Sequence, residues 1–100
     1  MPQAQVPLAA LPAGHTKTVT VNDQRILVCH VAGQFYAIGD VCTHDNGPLG
    51  EGRLEGYEVE CPRHGARFDV RTGHVVCFPA IRPVPTYTVT VHGQSLLIEV

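Results

Sequence analysis

Two runs of strict alternation stand at opposite ends of this 100-residue chain: Thr-Lys-Thr-Val-Thr-Val at 16–21 and Thr-Tyr-Thr-Val-Thr-Val-His at 86–92. β-branched residues recurring with a period of two mark strands with one covered face. Asn22-Asp23 supplies a turn after the first run. Residues 25–31 then alternate again, with Leu27, Cys29 and Val31 on one face. Gly33 turns the chain, and Phe35, Tyr36 and Ile38 form a third strand. After the second run, Gly93-Gln94 makes a turn and residues 96–100 return as a hairpin. Both ends are therefore committed to antiparallel β structure, and whatever lies between must be carried on it.

The stretch between, residues 40–85, is dense in Gly, Pro, Cys and His. It holds only short strand candidates, at 57–60, 67–70 and 74–77. The expectation is an all-β fold in a single domain spanning 1–100: a small antiparallel barrel or sandwich base, from strands at about 15–39 and 84–100, with a loop-rich subdomain inserted at about 40–83. Loops on a rigid β scaffold are where function usually sits.

Composition narrows the function classes. Apolar residues make up 44% and charged residues 16%, a globular balance. Net charge is −2 with no Lys/Arg cluster, so nucleic-acid binding lacks its electrostatic footprint. No apolar run is long enough to cross a bilayer. The start of the chain is mildly apolar (Val6, Leu8, Ala9, Ala10, Leu11), but no Lys or Arg precedes it, and Pro7 and Pro12 interrupt it. A secretory signal is not expected, and the expected location is the cytoplasm. Four cysteines would allow two disulfides, a pattern of small secreted proteins. Here two of the four sit beside histidines in repeated spacing, which points first to metal.

That pattern is Cys42-x-His44, sixteen residues, then Cys61-x-x-His64. Each half offers one soft thiolate and one imidazole, in turn-forming sequence: Asn46-Gly47-Pro48 follows the first, and Pro62 and Gly65 flank the second histidine. In a Rieske centre two Cys hold one iron and two His hold the other, so each loop must reach both irons. A Cys and a His one or two residues apart on a turn meet that need. Neutral imidazoles in place of two thiolates also make the cluster less negative and raise its potential above that of all-Cys ferredoxins. The competing reading is a structural zinc site, since Cys2His2 is a common zinc set. Zinc sites usually pair like with like, whereas each loop here mixes the two.

The sequence resembles the Rieske-type ferredoxins, the small electron carriers of bacterial ring-hydroxylating dioxygenase systems. The likeness covers about residues 16–100 and rests on Cys42-Thr-His44 with Leu49, on Glu60-Cys61-Pro62-Arg63-His64-Gly65, and on Phe68-Asp69-Val70-Arg71-Thr72-Gly73. It implies one [2Fe–2S] cluster, ligated through sulfur by Cys42 and Cys61 and through ring nitrogen by His44 and His64. It implies that the histidine edges sit at an exposed tip, with a proline loop, at Pro79 here, covering the other side. It also implies transient partners: a flavin- and NAD(P)H-dependent reductase on one side and a terminal oxygenase on the other. No membrane partner is expected, and a monomer is the default state. The high-potential members of the wider family add a loop-to-loop disulfide and two hydroxyl donors near the cluster; Gly47, Arg63, Ala66 and Phe68 stand in those places. Hydrogen bonds to sulfur stabilise the added electron. Without them the potential is expected near the low end of the Rieske range, roughly −150 mV. The remaining histidines, His15, His30, His74 and His92, are scattered, so the second, mononuclear iron of an oxygenase is not expected. The alternatives are the small subunit of a NAD(P)H nitrite reductase, which shares this fold, and a zinc module without redox activity.

Several further residues carry expectations. Cys29 reads as a small core residue, and Cys77 as a neighbour of the centre but not a ligand. Gly47, Gly65 and Gly73 are read as permitting tight turns near it. Asp45 and Arg63 adjoin ligands and rank first for guiding a partner, ahead of Glu51 and Glu55. Pro48 and Leu49 are expected at an apolar docking tip. Tyr57 and Phe68 are expected in the core of the inserted part.

Overall fold

The computed structural model describes residues 3–43, 47–62, 65–77 and 82–100. Two antiparallel sheets account for nearly all of its regular structure. The larger is built from β1 (Gln3–Pro7), β2 (Thr16–Val21), β3 (Gln24–Val31), β4 (Gln34–Gly39), β9 (Thr86–His92) and β10 (Ser95–Glu99), in the order β1-β10-β9-β4-β3-β2. Its two edge strands, β1 and β2, approach each other, so the sheet nearly closes into a barrel. The smaller sheet runs β5-β6-β7-β8, from β5 (Arg53–Glu55), β6 (Glu58–Glu60), β7 (Arg67–Asp69) and β8 (Val75–Cys77). Two short 3₁₀ turns, Leu8–Ala10 and Leu49–Glu51, complete the list of described elements. The all-β expectation is met, and no helix among the described residues is long and apolar enough to cross a membrane.

The alternating runs pair as their sequence demands. Asn22 and Asp23 take positive φ (54° and 66°) and close the β2–β3 hairpin, in which Val21 pairs with Gln24. The β9–β10 hairpin turns at Gly93 (φ 61°). The sequence reading did not foresee β1, which interposes Pro7 and lacks β-branched alternation. It becomes a strand by pairing with β10, from Gln3 against Glu99 to Pro7 against Ser95.

Two apolar cores form, and β3 supplies both. Ile26 and Val28 face the barrel interior with Val6, Leu11, Val21, Ala37, Leu96 and Ile98. Leu27, Cys29 and Val31 face the other way, into a core shared with Ile38, Leu49, Val59, Phe68 and Val70. β4 behaves alike, sending Ala37 to the first core and Ile38 to the second. The β3–β4 hairpin is thus a wall between the core of the larger sheet (the base) and the core under the small sheet (the head), with side chains alternating onto its two faces.

The small sheet alternates too. Leu54, Val59, Phe68 and Val75 stand opposite one another across its four strands and face the second core. On its outer side Arg67 makes ion pairs to Glu55 (2.8 Å), Glu58 (3.3 Å) and Glu60 (3.3 Å). These acidic partners keep the Arg67 guanidinium firmly protonated.

Three joints fasten head to base. Tyr36 of β4 meets Tyr57 edge to face at 6.2 Å, and the Arg71 guanidinium lies 4.0 Å above the Tyr57 ring. Gly73 exchanges backbone contact with the returning chain: the Val84 N–H donates to the Gly73 carbonyl at 2.9 Å, and a Cβ at Gly73 (φ 78°) would strike the Val84 carbonyl. The third joint is Asp40, described below. Leu49 departs from expectation. It is fully buried, at 0% exposure, in the head core and offers nothing to a docking tip. The 3₁₀ turn that it opens rolls its side chain inward, while Pro48 stays half-buried.

Candidate metal centre

Cys42 and Cys61 open two loops that close in the same way. The Cys42 N–H donates to the Gly47 carbonyl at 2.7 Å, and the Cys61 N–H donates to the Ala66 carbonyl at 2.7 Å. In each case the acceptor lies five residues on, so each loop is a tight bay with its cysteine at one root. In the second loop the Gly65 N–H also donates to the Cys61 carbonyl at 3.1 Å, with Gly65 at φ 78°. A side chain would strain that backbone, which is why glycine follows His64.

The two cysteines share one buried core, at 0% and 1% exposure. No disulfide joins any of the four cysteines. Of the predicted ligands, then, the structure brings Cys42 and Cys61 into a common apolar floor, while His44 and His64 lie outside the described residues. Asp45, Arg63 and Pro79 also lie outside them. Ala66, the place of a missing hydroxyl donor, is fully buried beside the second bay.

Two hydrogen bonds not anticipated from the sequence tie these bays to the third loop. The Thr43 hydroxyl donates to the Arg82 carbonyl at 2.7 Å. The Cys77 thiol donates to the Gly65 carbonyl at 3.3 Å. Residues 77 and 82 bracket the segment that contains Pro79, so the two ends of that segment are fastened one to each bay. Thr43 and Cys77 gave little signal in sequence, because a threonine in a turn and a cysteine after two valines each have commoner explanations.

The electrostatics separate the sulfurs. Cys29 is buried on the shared wall, and that burial, together with the charge of Asp40, pushes its thiol up to about 12. It stays protonated near neutral pH, and it lies within β3, outside both bays. Cys77 is half-buried and holds a backbone carbonyl. Cys42 and Cys61 remain as the candidate sulfur donors at the loop roots. Two cysteine sulfurs on an apolar floor suit a soft, thiophilic centre such as iron–sulfur, and so the described half of the donor set fits the group. The remaining histidines do not gather. His30 accepts or donates at Nδ1 with the Leu11 carbonyl (2.9 Å) and stacks on Phe35 (4.2 Å), a structural role at the foot of the barrel.

Comparison with known proteins agrees with this arrangement. The family model described as the Rieske [2Fe–2S] domain matches residues 2–88. The ferredoxin component of a naphthalene 1,2-dioxygenase system from Pseudomonas aeruginosa is 39% identical over 94% of this chain and 90% of its own length. The ferredoxin of carbazole 1,9a-dioxygenase from Nocardioides aromaticivorans IC177 superposes with a TM-score of 0.92, at 33% identity, over 98% of this chain and 96% of its own. A ferredoxin chain in the complex of reduced oxygenase and oxidised ferredoxin of carbazole 1,9a-dioxygenase superposes with a TM-score of 0.91, at 33% identity, over 96% of this chain and 91% of that one. These relatives match along nearly their whole length, with no room left in them for a catalytic domain. The chain belongs to the Rieske [2Fe–2S] family, and within it to the ferredoxins, the electron-carrying rather than catalytic components of multicomponent dioxygenases.

Proposed function

We propose that this protein takes one electron from a flavin- and NAD(P)H-dependent reductase and delivers it to a terminal oxygenase acting on an aromatic ring. The observation that carries this reading is the pair of like-built bays rooted at Cys42 and Cys61 on one buried floor. One [2Fe–2S] cluster is the proposed cofactor, with Cys42 and Cys61 as sulfur ligands and His44 and His64 as nitrogen ligands. When bound, it supplies a site that gains and loses a single electron. The chain's own part is to hold the ligand loops still, which the Thr43–Arg82 and Cys77–Gly65 bonds support, and to keep bulk water off the sulfurs, which burial at both cysteines supports. A rigid site needs little reorganisation when its charge changes. A division into a base and a cluster-binding head over about 40–83, a monomeric state and a cytoplasmic location belong to the same reading.

Metal and sulfide analysis, with electron paramagnetic resonance of dithionite-reduced protein, tests the cofactor. Two irons and two sulfides, with a rhombic signal of average g below that of all-Cys [2Fe–2S] proteins, are expected. One zinc and no signal would remove the electron-carrier reading. Co-purification with a large haem-containing subunit would instead favour the nitrite reductase alternative. For docking, Arg63→Glu is expected to slow electron delivery to an oxygenase, most at low salt, while the cluster spectrum stays intact. Equal turnover across salt concentrations would defeat that assignment. Contacts with either partner are expected at the small end of interface sizes.

A further inference from the structure

Asp40 is the one charged side chain that is buried among the described residues, at 2% exposure. It follows the last residue of β4 and precedes Cys42 by two. Its backbone N–H donates to the Arg25 carbonyl at 2.9 Å, which holds it against the base. Its carboxylate reaches both ways. Oδ2 accepts from the Thr18 hydroxyl of β2 at 3.0 Å, and Oδ1 accepts from the Gly50 N–H of the 3₁₀ turn at 2.7 Å. The three groups pack without slack, because a Cβ at Gly50 would come within 2.6 Å of the Thr18 hydroxyl oxygen. Burying a carboxylate is costly unless it is hydrogen-bonded, so a chain that needed only a joint here had cheaper neutral choices.

We propose that Asp40 is a positioning residue for the first ligand loop and that its buried negative charge holds the reduction potential of the bound cluster down. The inference rests on the ferredoxin reading and deepens it. Both carboxylate oxygens are held, one by a hydroxyl and one by a backbone N–H, so the group is fixed in place against both the larger sheet and the 3₁₀ turn. The charge also acts on a sulfur in this core: it helps push up the Cys29 thiol, which shares its apolar surroundings with Cys42 and Cys61. What disfavours a negative sulfur there disfavours an added electron nearby for the same reason. Asp40 and Cys42 are two residues apart across a bend, so their backbones lie within about 7 Å of each other and the carboxylate and the sulfur within the order of 10 Å. At that separation and an effective dielectric of about 20, Coulomb's law gives an interaction worth about a tenfold step in an equilibrium constant.

The test is protein-film voltammetry on loaded wild type, Asp40→Asn and Thr18→Val, each first checked for the Rieske resonance signal. Asparagine keeps the shape and the bond from the Gly50 N–H, turns the Thr18 bond round so that its amide donates to the hydroxyl oxygen, and removes the charge. Its potential is expected to rise by about tenfold in the reduction equilibrium, about 59 mV for a one-electron couple. Valine at 18 keeps the charge and removes the hydroxyl dipole that partly offsets it, so its potential should move the other way. An Asp40→Asn protein with the normal signal and unchanged potential overturns the proposal. If Asp40→Asn does not load, a Thr18→Val potential that is unchanged or raised overturns it. Failure of both variants to load, with wild type loaded, makes Asp40 a folding residue and also overturns it. Absence of the Rieske signal from wild type is a different failure, that of the function reading itself.

Discussion

Ala66 shows how much a single missing oxygen can govern in this centre. It sits fully buried at the closing end of the second bay, where its carbonyl receives the Cys61 N–H. A hydroxyl there would sit at the end of the loop rooted at Cys61, the proposed sulfur ligand, where a hydrogen bond to sulfur would stabilise the added electron. Ala66→Ser is expected to raise the reduction potential, read by protein-film voltammetry, with the resonance signal unchanged; a potential that stays or falls would count against that account. Leu49 shows the opposite limit of residue-level reading. Between Pro48 and Gly50 its apolar character fits a docking tip as well as a core, and only the 3₁₀ turn decides. Asp40 was equally silent, because an aspartate just after a strand is ordinarily a solvated turn residue. The mixed Cys–His spacing was far more informative, since few metal centres ask each loop for one soft and one borderline ligand.

At the scale of elements, strands whose face is settled by their own alternation were legible, and those settled by a partner were not. Thr16–Val21 and Thr86–His92 form where their pattern says. Gln3–Pro7 is extended because β10 offers it an edge, and Arg53–Glu55 is only three residues long, too short for any period to appear. In the small sheet the inward rank of Leu54, Val59, Phe68 and Val75 carries the packing, and Phe68 fills the largest share of the head core at 0% exposure. Phe68→Ala is expected to destabilise the protein by about 3–5 kcal/mol, a large part of the ~5–15 kcal/mol that holds a domain together. Chemical denaturation followed by circular dichroism measures it. A loss under about 1 kcal/mol would mean that the head core collapses around the gap.

At the scale of the whole molecule, the aromatic joint gives a pH signature. Asp69 accepts from Arg71 at Nη2 (2.9 Å), at Nε (3.1 Å) and at the backbone N–H (2.8 Å), and holds that guanidinium over Tyr57, which in turn touches Tyr36 of the base. The Arg71 hydrogen bonds hold the Asp69 carboxyl below its ordinary range. A folded-state pKa below the unfolded one adds stability that is fully present above the unfolded value, about 3.9, and is lost as pH falls through the folded value. Asp69→Asn is therefore expected to lower the denaturation midpoint at pH 6, with the gap to wild type narrowing below about pH 4. A gap that is constant across that range would show that the carboxylate's charge does not hold the joint.

The wall formed by β3 and β4 bears on how such carriers could be re-engineered or could diverge. A head exchanged between relatives along the proposed division would be cut at about residues 40 and 83, yet Leu27, Cys29, Val31 and Ile38, on the near side of that cut, are part of its floor. Ile26, Val28 and Ala37, interleaved with them, belong to the barrel. The portable unit is thus not a continuous stretch of chain. It is the insert together with every second residue of two strands that stay behind, and a transplant that carries those positions along is the one that should keep its fit.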